Sequence, residues 1–343
     1  MSGLHVIVPA DIDDPARPSG GNVYDRRICT GLVDLAWDVE EHPVRGSWPC
    51  PGPEAVAELT ATVAAVPDDA LLLVDGLIAS VSADVLVAAA RRSRLVVLVH
   101  MPLAVAGEDA VLAASRAVIT TSAWTRMQLL GTHPLDATAV HVVEPGADRA
   151  DAAGGTPGGE NLLCVAPVSR HKGQDVLLSA LADLQDLTWH CRLIGSVERE
   201  PAFVEGLRQQ VNRDGLADRV ELSGVRTGHA LARAYATSDL LVHPSRGETY
   251  GMVVSEALAH ALPVVATDVG GVAEALGDTT AGRPGLLVNP DEPRALSTAL
   301  RTWLSDDATR SRLRCAAAHR RETLTSWRST AIRMAHVLAA VAT

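Results

Sequence analysis

Lysine is almost absent from this chain: of its 30 basic residues, only Lys172 is not an arginine. Aromatic residues are scarce as well, at 3%, so few rings are available for stacking platforms. No run of about 18 uncharged apolar residues occurs, so no membrane-spanning helix is expected. The N-terminus, Met1-Ser2-Gly3-Leu4-His5, lacks a basic stretch leading into an apolar one, and no secretory leader is expected. The five cysteines (Cys29, Cys50, Cys164, Cys191, Cys315) are odd in number, scattered and never in a Cys-x-x-Cys pair. They read as reduced, mostly buried thiols of a cytoplasmic protein, not as a disulfide frame or a zinc site. Positive charge is short in the first half. Residues 1–150 hold 10 Arg and no Lys against 19 acidic residues, a balance of −9, whereas the remainder holds 20 basic against 22 acidic. Such a half repels phosphate backbones and anionic headgroups, so no nucleic acid and no strong membrane binding are expected. A soluble partner, cationic or neutral, fits it better.

What the chain does have is apolar material, 47% of 343 residues, enough for two buried cores of ordinary size. Short apolar runs alternate with helical segments, the signature of βα units and parallel sheets. In the first half the runs are Leu4–Pro9, Leu71–Val74, Leu95–Val99, Val118–Thr121 and Val140–Val143. In the second they are Asn161–Ala166, Thr188–Ile194, Val220–Ser223, Leu240–His243, Val264–Thr267 and Leu286–Val288. Several are apolar at successive positions, as strands covered on both faces must be. A glycine-rich stretch between the series breaks the pattern. The expected organisation is a first Rossmann-like domain over 1–150, a linker over 151–160, a second such domain over 161–325, and a C-terminal helix over 326–343 packing back on the first. Doubly wound domains bind ligands outside the carboxyl ends of their strands, in this case across a cleft between the two.

Two segments just after strands carry candidate chemistry. Val165 to Asp175 reads strand, loop, helix, with Arg170, Lys172 and Gly173 in the loop and the helix beginning near Gln174. A helix N-terminus presents unpaired N–H groups and partial positive charge, so a diphosphate suits Lys172 and the Gly173 and Gln174 amides. The competing reading is a surface lysine. His243 to Glu256 follows the apolar run Leu240-Leu241-Val242 and leads into a helix. If the intervening residues are helical, Glu248 and Glu256 lie about 80° apart on one side and up to about 12 Å along the axis. One glutamate then grips a ribose diol while the other meets a sugar, with the amides of Thr249, Tyr250, Gly251 and the helix start at Met252 between them. Glycosidase pairs stand roughly 5–10 Å apart across one bond, and two solvated glutamates are the plain alternative. Asp11-Ile12-Asp13 follows the first strand without other metal-site features, and no metal is expected there.

Residues Asn161–Asn289 resemble the donor domain of the family-four retaining glycosyltransferases of the GT-B fold. The resemblance rests on Lys172-Gly173, Pro244-Ser-x-x-Glu248-x-x-Gly251, Glu256-Ala-Leu-Ala259, Leu262-Pro-Val-Val-Ala-Thr267, Gly270-Gly-Val-x-Glu274 and Gly285-Leu-Leu-Val288. It implies that Lys172 holds a donor diphosphate, Glu256 the ribose hydroxyls, and Glu248 with its following amides the donor sugar. The first half is similar in outline: Gly20 and Gly21 look like the family's glycine-rich loop near the diphosphate, and His100 matches its histidine near the reacting sugar. One departure stands out, since the family's second phosphate-binding arginine has Pro167 in its place, with Arg170 the nearest cation. The implied activity is retaining, metal-independent transfer from a nucleotide diphosphate sugar to a small-molecule or saccharide acceptor. The alternative is a non-catalytic nucleotide-sugar-binding or regulatory subunit.

Overall fold

The computed structural model describes residues 3–16 and 18–342, so Met1 and Ser2 of the stretch read for a leader lie outside the described residues. The chain divides into two units, residues 3–146 with 325–342 and residues 147–324. Unit 1 holds β1 (Leu4–Pro9), β2 (Val39–Val44), β3 (Leu71–Asp75), β4 (Arg94–Val99), β5 (Ala117–Thr120) and β6 (Val140–Val142). They form one parallel sheet in the order β2-β1-β3-β4-β5-β6. Unit 2 holds β7 (Asn161–Val165), β8 (His190–Ile194), β9 (Val220–Gly224), β10 (Leu240–His243), β11 (Val264–Thr267) and β12 (Gly285–Val288). Its parallel sheet runs β12-β11-β10-β7-β8-β9.

The central strands pack on both faces, which is why they read as apolar at successive positions. Leu4, Val6 and Val8 of β1 enter one core cluster while Ile7 enters another. In unit 2, Leu162 and Cys164 point into one cluster and Leu163 into the other. The strand that sequence reading passed over is β2. Its sequence, Val-Glu-Glu-His-Pro-Val, buries only Val44 and sits at the sheet edge, where a polar strand with proline is tolerated.

The glycine-rich stretch before β7 has no regular structure, yet it is no loose tether. Thr156 donates through its amide and hydroxyl to the buried Asp239 carboxylate, the hydroxyl at 2.8 Å, and Gly159 O accepts from Trp303 Nε1 at 2.8 Å. The tail is two helices, Asp307–Thr323 and Trp327–Ala342, the second counted with unit 1. It lies against the Gly20–Asp34 helix so closely that a Cβ on Gly31 would stand 2.6 Å from the Ala331 methyl. Three of the five cysteines are buried, while Cys50 and Cys315 are exposed. Among the described residues, no helix is long and apolar enough to cross a membrane.

Candidate functional site

In unit 2 the candidate residues gather just past the carboxyl ends of β7 and β10. After β7 the chain makes a 3-10 turn over Arg170–Lys172, then Gly173 enters the left-handed region at φ 68° and starts the helix Gln174–Ala182. Only glycine fits there, because a Cβ would lie 2.0 Å from Pro244 O in the loop after β10. The two loops are laced together: Arg246 N and Ser245 Oγ both donate to His171 O, at 2.8 and 3.2 Å. The Arg246 guanidinium forms a two-pronged pair with Asp175, at 3.0 and 2.9 Å, and reaches Asp291 at 2.6 Å.

This lacing brings Lys172 Nζ to 2.5 Å from Glu248 Oε1. His243 Nε2 lies 3.0 Å from the same oxygen, at ion-pair range but outside hydrogen-bond geometry, so both buried ring nitrogens of His243 are without a hydrogen-bond partner. Burial pushes the Glu248 carboxyl up, but the approach of His243 and of Lys172 outweighs it and holds the group well below the usual carboxylate range. The result is an ionised glutamate clamped between two basic side chains. Its loop rests on a glycine pair: Gly271 N donates to Glu248 O at 3.1 Å, and a Cβ on Gly270 would stand 1.5 Å from that oxygen.

Gly251, at φ 91°, leads into the helix Met252–Ala259, whose first turn has no side-chain cap. Val254 N donates to Gly251 O at 2.9 Å, which leaves the Met252 and Val253 amides to meet an anion or a polar ligand. Glu256 sits one turn into that helix and accepts from Tyr235 Oη at 2.7 Å. Burial pushes its carboxyl up, the Tyr235 bond opposes this, and Asp148 adds to it. The Tyr235 ring is itself buried and stacked on His260, with centroids 5.2 Å apart.

Unit 1 carries a second cluster at the carboxyl ends of β3 and β4. His100 Nε2 donates to Asp25 Oδ1 at 2.7 Å and stands 3.6 Å from Asp75 Oδ2. Both carboxylates are buried, and Asp25 Oδ2 has no partner. Gly21, Tyr24 and Asp25 occupy one face of the Gly20–Asp34 helix, being three and four residues apart. A Cβ on Gly21 would lie 3.2 Å from His100 Cδ2, and the Tyr24 ring meets the imidazole edge-on at 5.2 Å. Burial, reinforced by Asp25, raises the Asp75 carboxyl well above its ordinary value. Burial alone would lower the His100 imidazole, but the Asp25 charge and hydrogen bond, with Asp75, raise it. The arrangement favours a protonated, oriented imidazole.

Several expectations need correction. The helix begins at Met252, so Glu248 to Gly251 are loop and the eight-step helical spacing of the two glutamates does not hold. Gly20 and Gly21 are not a loop but the first turn of a helix capped by Ser19, whose hydroxyl accepts from Asn22 N. The Gly173 amide is committed, donating to Arg170 O at 3.2 Å, which leaves Gln174 and the turn beyond it to supply N–H groups. Arg170 is exposed and its guanidinium lies over the Phe203 ring at 5.4 Å. Pro167 O accepts from Gln174 Nε2 at 3.0 Å. Asp13 is engaged by Arg26 at 2.9 and 2.7 Å. A hollow of about 530 Å³ in unit 2, beside Asn161, His190 and Arg219, contains none of these groups.

Sequence reading missed four members of these clusters: Asp25, Asp75, Tyr235 and His243. The one available signal was scarcity, since the chain has three tyrosines and each of Tyr24, Tyr235 and Tyr250 lies in or beside a cluster.

Residues 159–306 match the family described as Glycosyl transferases group 1. A D-inositol 3-phosphate glycosyltransferase of Xylanimonas cellulosilytica is 32% identical over 232 residues, covering 62% of this chain and 54% of the relative. One of Frankia alni is 34% identical over 233 residues, covering 62% and 56%. The chain thus spans little more than half the length of these relatives. Among solved structures, the sucrose-phosphate synthase of Thermosynechococcus elongatus superposes with a TM-score of 0.81 at 21% identity, covering 99% of this chain and 98% of the other. Anabaena HepE in complex with UDP-glucose gives 0.77 at 21% identity, covering 99% and 100%. The architecture, two parallel six-stranded sheets with helices, is that of the GT-B glycosyltransferases.

Proposed function

We propose that this chain, whose residues 159–306 form a glycosyl transferases group 1 domain, moves a sugar from a nucleotide diphosphate to a soluble acceptor with retention of configuration and without a metal. The observation that carries the proposal is the clamp of Lys172, His243 and Glu248 past the carboxyl ends of β7 and β10. In this reading the leaving diphosphate takes the ammonium of Lys172 and the free amides at the start of the Gln174–Ala182 helix, which stabilise charge as the glycosidic bond breaks. Glu248, released from Lys172, and the uncapped first turn at Met252 address the donor sugar. Glu256, oriented by Tyr235, accepts from ribose hydroxyls. The acceptor attacks the anomeric carbon on the face the diphosphate leaves, and its proton passes to a departing phosphate oxygen. His100, held by Asp25 in unit 1, is the residue that the resemblance assigns to the reacting sugar.

UDP-glucose, the ligand in the Anabaena HepE structure, is the first donor to test. The relatives named for D-inositol 3-phosphate make a phosphorylated cyclitol the first acceptor, although the −9 balance of residues 1–150 favours a neutral or cationic one. The test is a thermal-melt panel with UDP, GDP, ADP and TDP on wild type and Glu256→Ala. A diphosphate at 100 times its dissociation constant adds about 2.7 kcal/mol. A shift with one nucleotide, lost in the variant, supports the proposal, and no shift with any of the four at millimolar concentration overturns it. Slow hydrolysis of the matching sugar nucleotide separates an enzyme from a pure binder, which would show none.

A further inference from the structure

We propose that His5, Glu40 and His42 form a binding site for a divalent transition metal, of the Zn²⁺ class, on the β1–β2 edge of unit 1. The parallel register pairs His5 with Glu40 and Ile7 with His42. Glu40 and His42, two residues apart on one strand, therefore share a face, and His5 projects toward them from the neighbouring strand. Three donor groups converge there. His5 Nδ1 and His42 Nε2 are 3.0 Å apart, His5 Nδ1 and Glu40 Oε2 3.5 Å, and His42 Nε2 and Glu40 Oε1 3.8 Å. The two imidazoles stack at 5.2 Å and 15°, so neither swings freely.

Zn²⁺ binds imidazole nitrogen at about 2.0–2.1 Å and carboxylate oxygen at about 2.0–2.2 Å. Tetrahedral angles then put neighbouring donors about 3.3 Å apart, and the three observed separations bracket that distance. Two imidazoles and one carboxylate are a donor set for zinc and its neighbours in the first transition row, not for Mg²⁺ or Ca²⁺, which prefer oxygen. His5 is held by burial, with its side chain 10% exposed, while Glu40 at 66% leaves a route for entry and a fourth, water-filled position. The site stands near the amino end of β1, away from the carboxyl ends where ligands bind in such sheets. Its structural sense follows from β2, an edge strand that buries only Val44. A cation bridging β1 to β2 supplies the attachment that apolar burial does not.

The experiment uses the full chain with any affinity tag removed and stripped by chelator, titrated calorimetrically with ZnCl₂ and observed with CoCl₂. The expected result is one site of micromolar affinity or tighter, visible d–d absorption with Co²⁺, and a rise in melting temperature with Zn²⁺. Binding is expected to weaken at least tenfold in His42→Ala and again in Glu40→Gln. The exposed Glu40 keeps the test valid if His42→Ala folds poorly. Equal affinity in wild type and both variants overturns the proposal and leaves a His5–His42 hydrogen bond only. Binding that is lost instead in Asp25→Asn, or after alkylation of Cys50 and Cys315, also overturns it by placing the metal elsewhere.

Discussion

Replacing Glu248 by glutamine tests whether the Lys172–Glu248 pair is a stand-in for the ligand. Lys172 Nζ and Glu248 Oε1 stand 2.5 Å apart, with side chains 22% and 13% exposed. Exposed ion pairs contribute about 0–1 kcal/mol, whereas removing one partner of a buried pair costs about 3–5 kcal/mol. This pair lies nearer the buried limit, so Glu248→Gln is expected to destabilise the unit 147–324 by about 2–4 kcal/mol, a fall of several degrees in melting temperature. A nucleoside diphosphate returns the missing negative charge. In the wild type it must share Lys172 with Glu248, and in the variant it meets an unpaired ammonium. If it recovers about 1–2 kcal/mol of the loss, the free diphosphate binds roughly 5- to 30-fold more tightly to the variant. Sugar transfer falls in the same protein, because the carboxylate facing the sugar is gone. Urea unfolding gives the first quantity and calorimetry with the nucleotide found in the melt panel gives the second. Unchanged stability, or weaker diphosphate binding in Glu248→Gln, would refute the reasoning.

Lys172→Ala removes a charge-assisted contact worth about 1.5–3 kcal/mol, so turnover is expected to drop about 10- to 150-fold. Turnover within threefold of wild type would count against the assignment. Gly270→Ala places a methyl 1.5 Å from Glu248 O on a backbone at φ 56°, and it should cost more than about 1–3 kcal/mol together with nucleotide binding; a wild-type melt with intact binding would contradict this. For Asp75→Asn the sign comes from two raised groups. Asp75 is driven up by burial and by Asp25, so its ionisation in the folded state destabilises as pH rises above the ordinary aspartate range. The raised His100 contributes stability that is full below its ordinary value, about 6.5, and is lost as pH climbs through the raised one. Wild type should therefore lose melting temperature between pH 5 and 8, and Asp75→Asn, whose amide oxygen can still accept from Leu77 N, should lose less. Parallel losses in melt curves would rule the argument out.

The legible part of the fold was the part coded by local pattern. Eleven mainly apolar runs became eleven strands because strands covered on both faces favour apolar residues at successive positions, although β8 and β9 also carry His190, Arg192 and Glu221. The edge strand β2 was not legible, since open edges select against that signal. Of the site, Lys172, Glu248 and Glu256 could be read from their place after strands, whereas His100 entered only through the family resemblance. Asp25 looked like any polar residue on a helix beginning, and Tyr235 like a core aromatic.

By itself the sequence determined two parallel α/β sheets and which loops at strand ends could meet a ligand, because periodicity and turn chemistry act over a few residues. Only the tertiary structure decided the partners. Lys172 meets Glu248 across 76 residues, Tyr235 meets Glu256 across 21, and His100 meets Asp25 across 75. Those pairings depend on strand order, close approach at Gly173 and Gly270, and the face each helix turns to its sheet. The protonation biases follow in turn, since burial and distance set them, and neither is a property of local sequence.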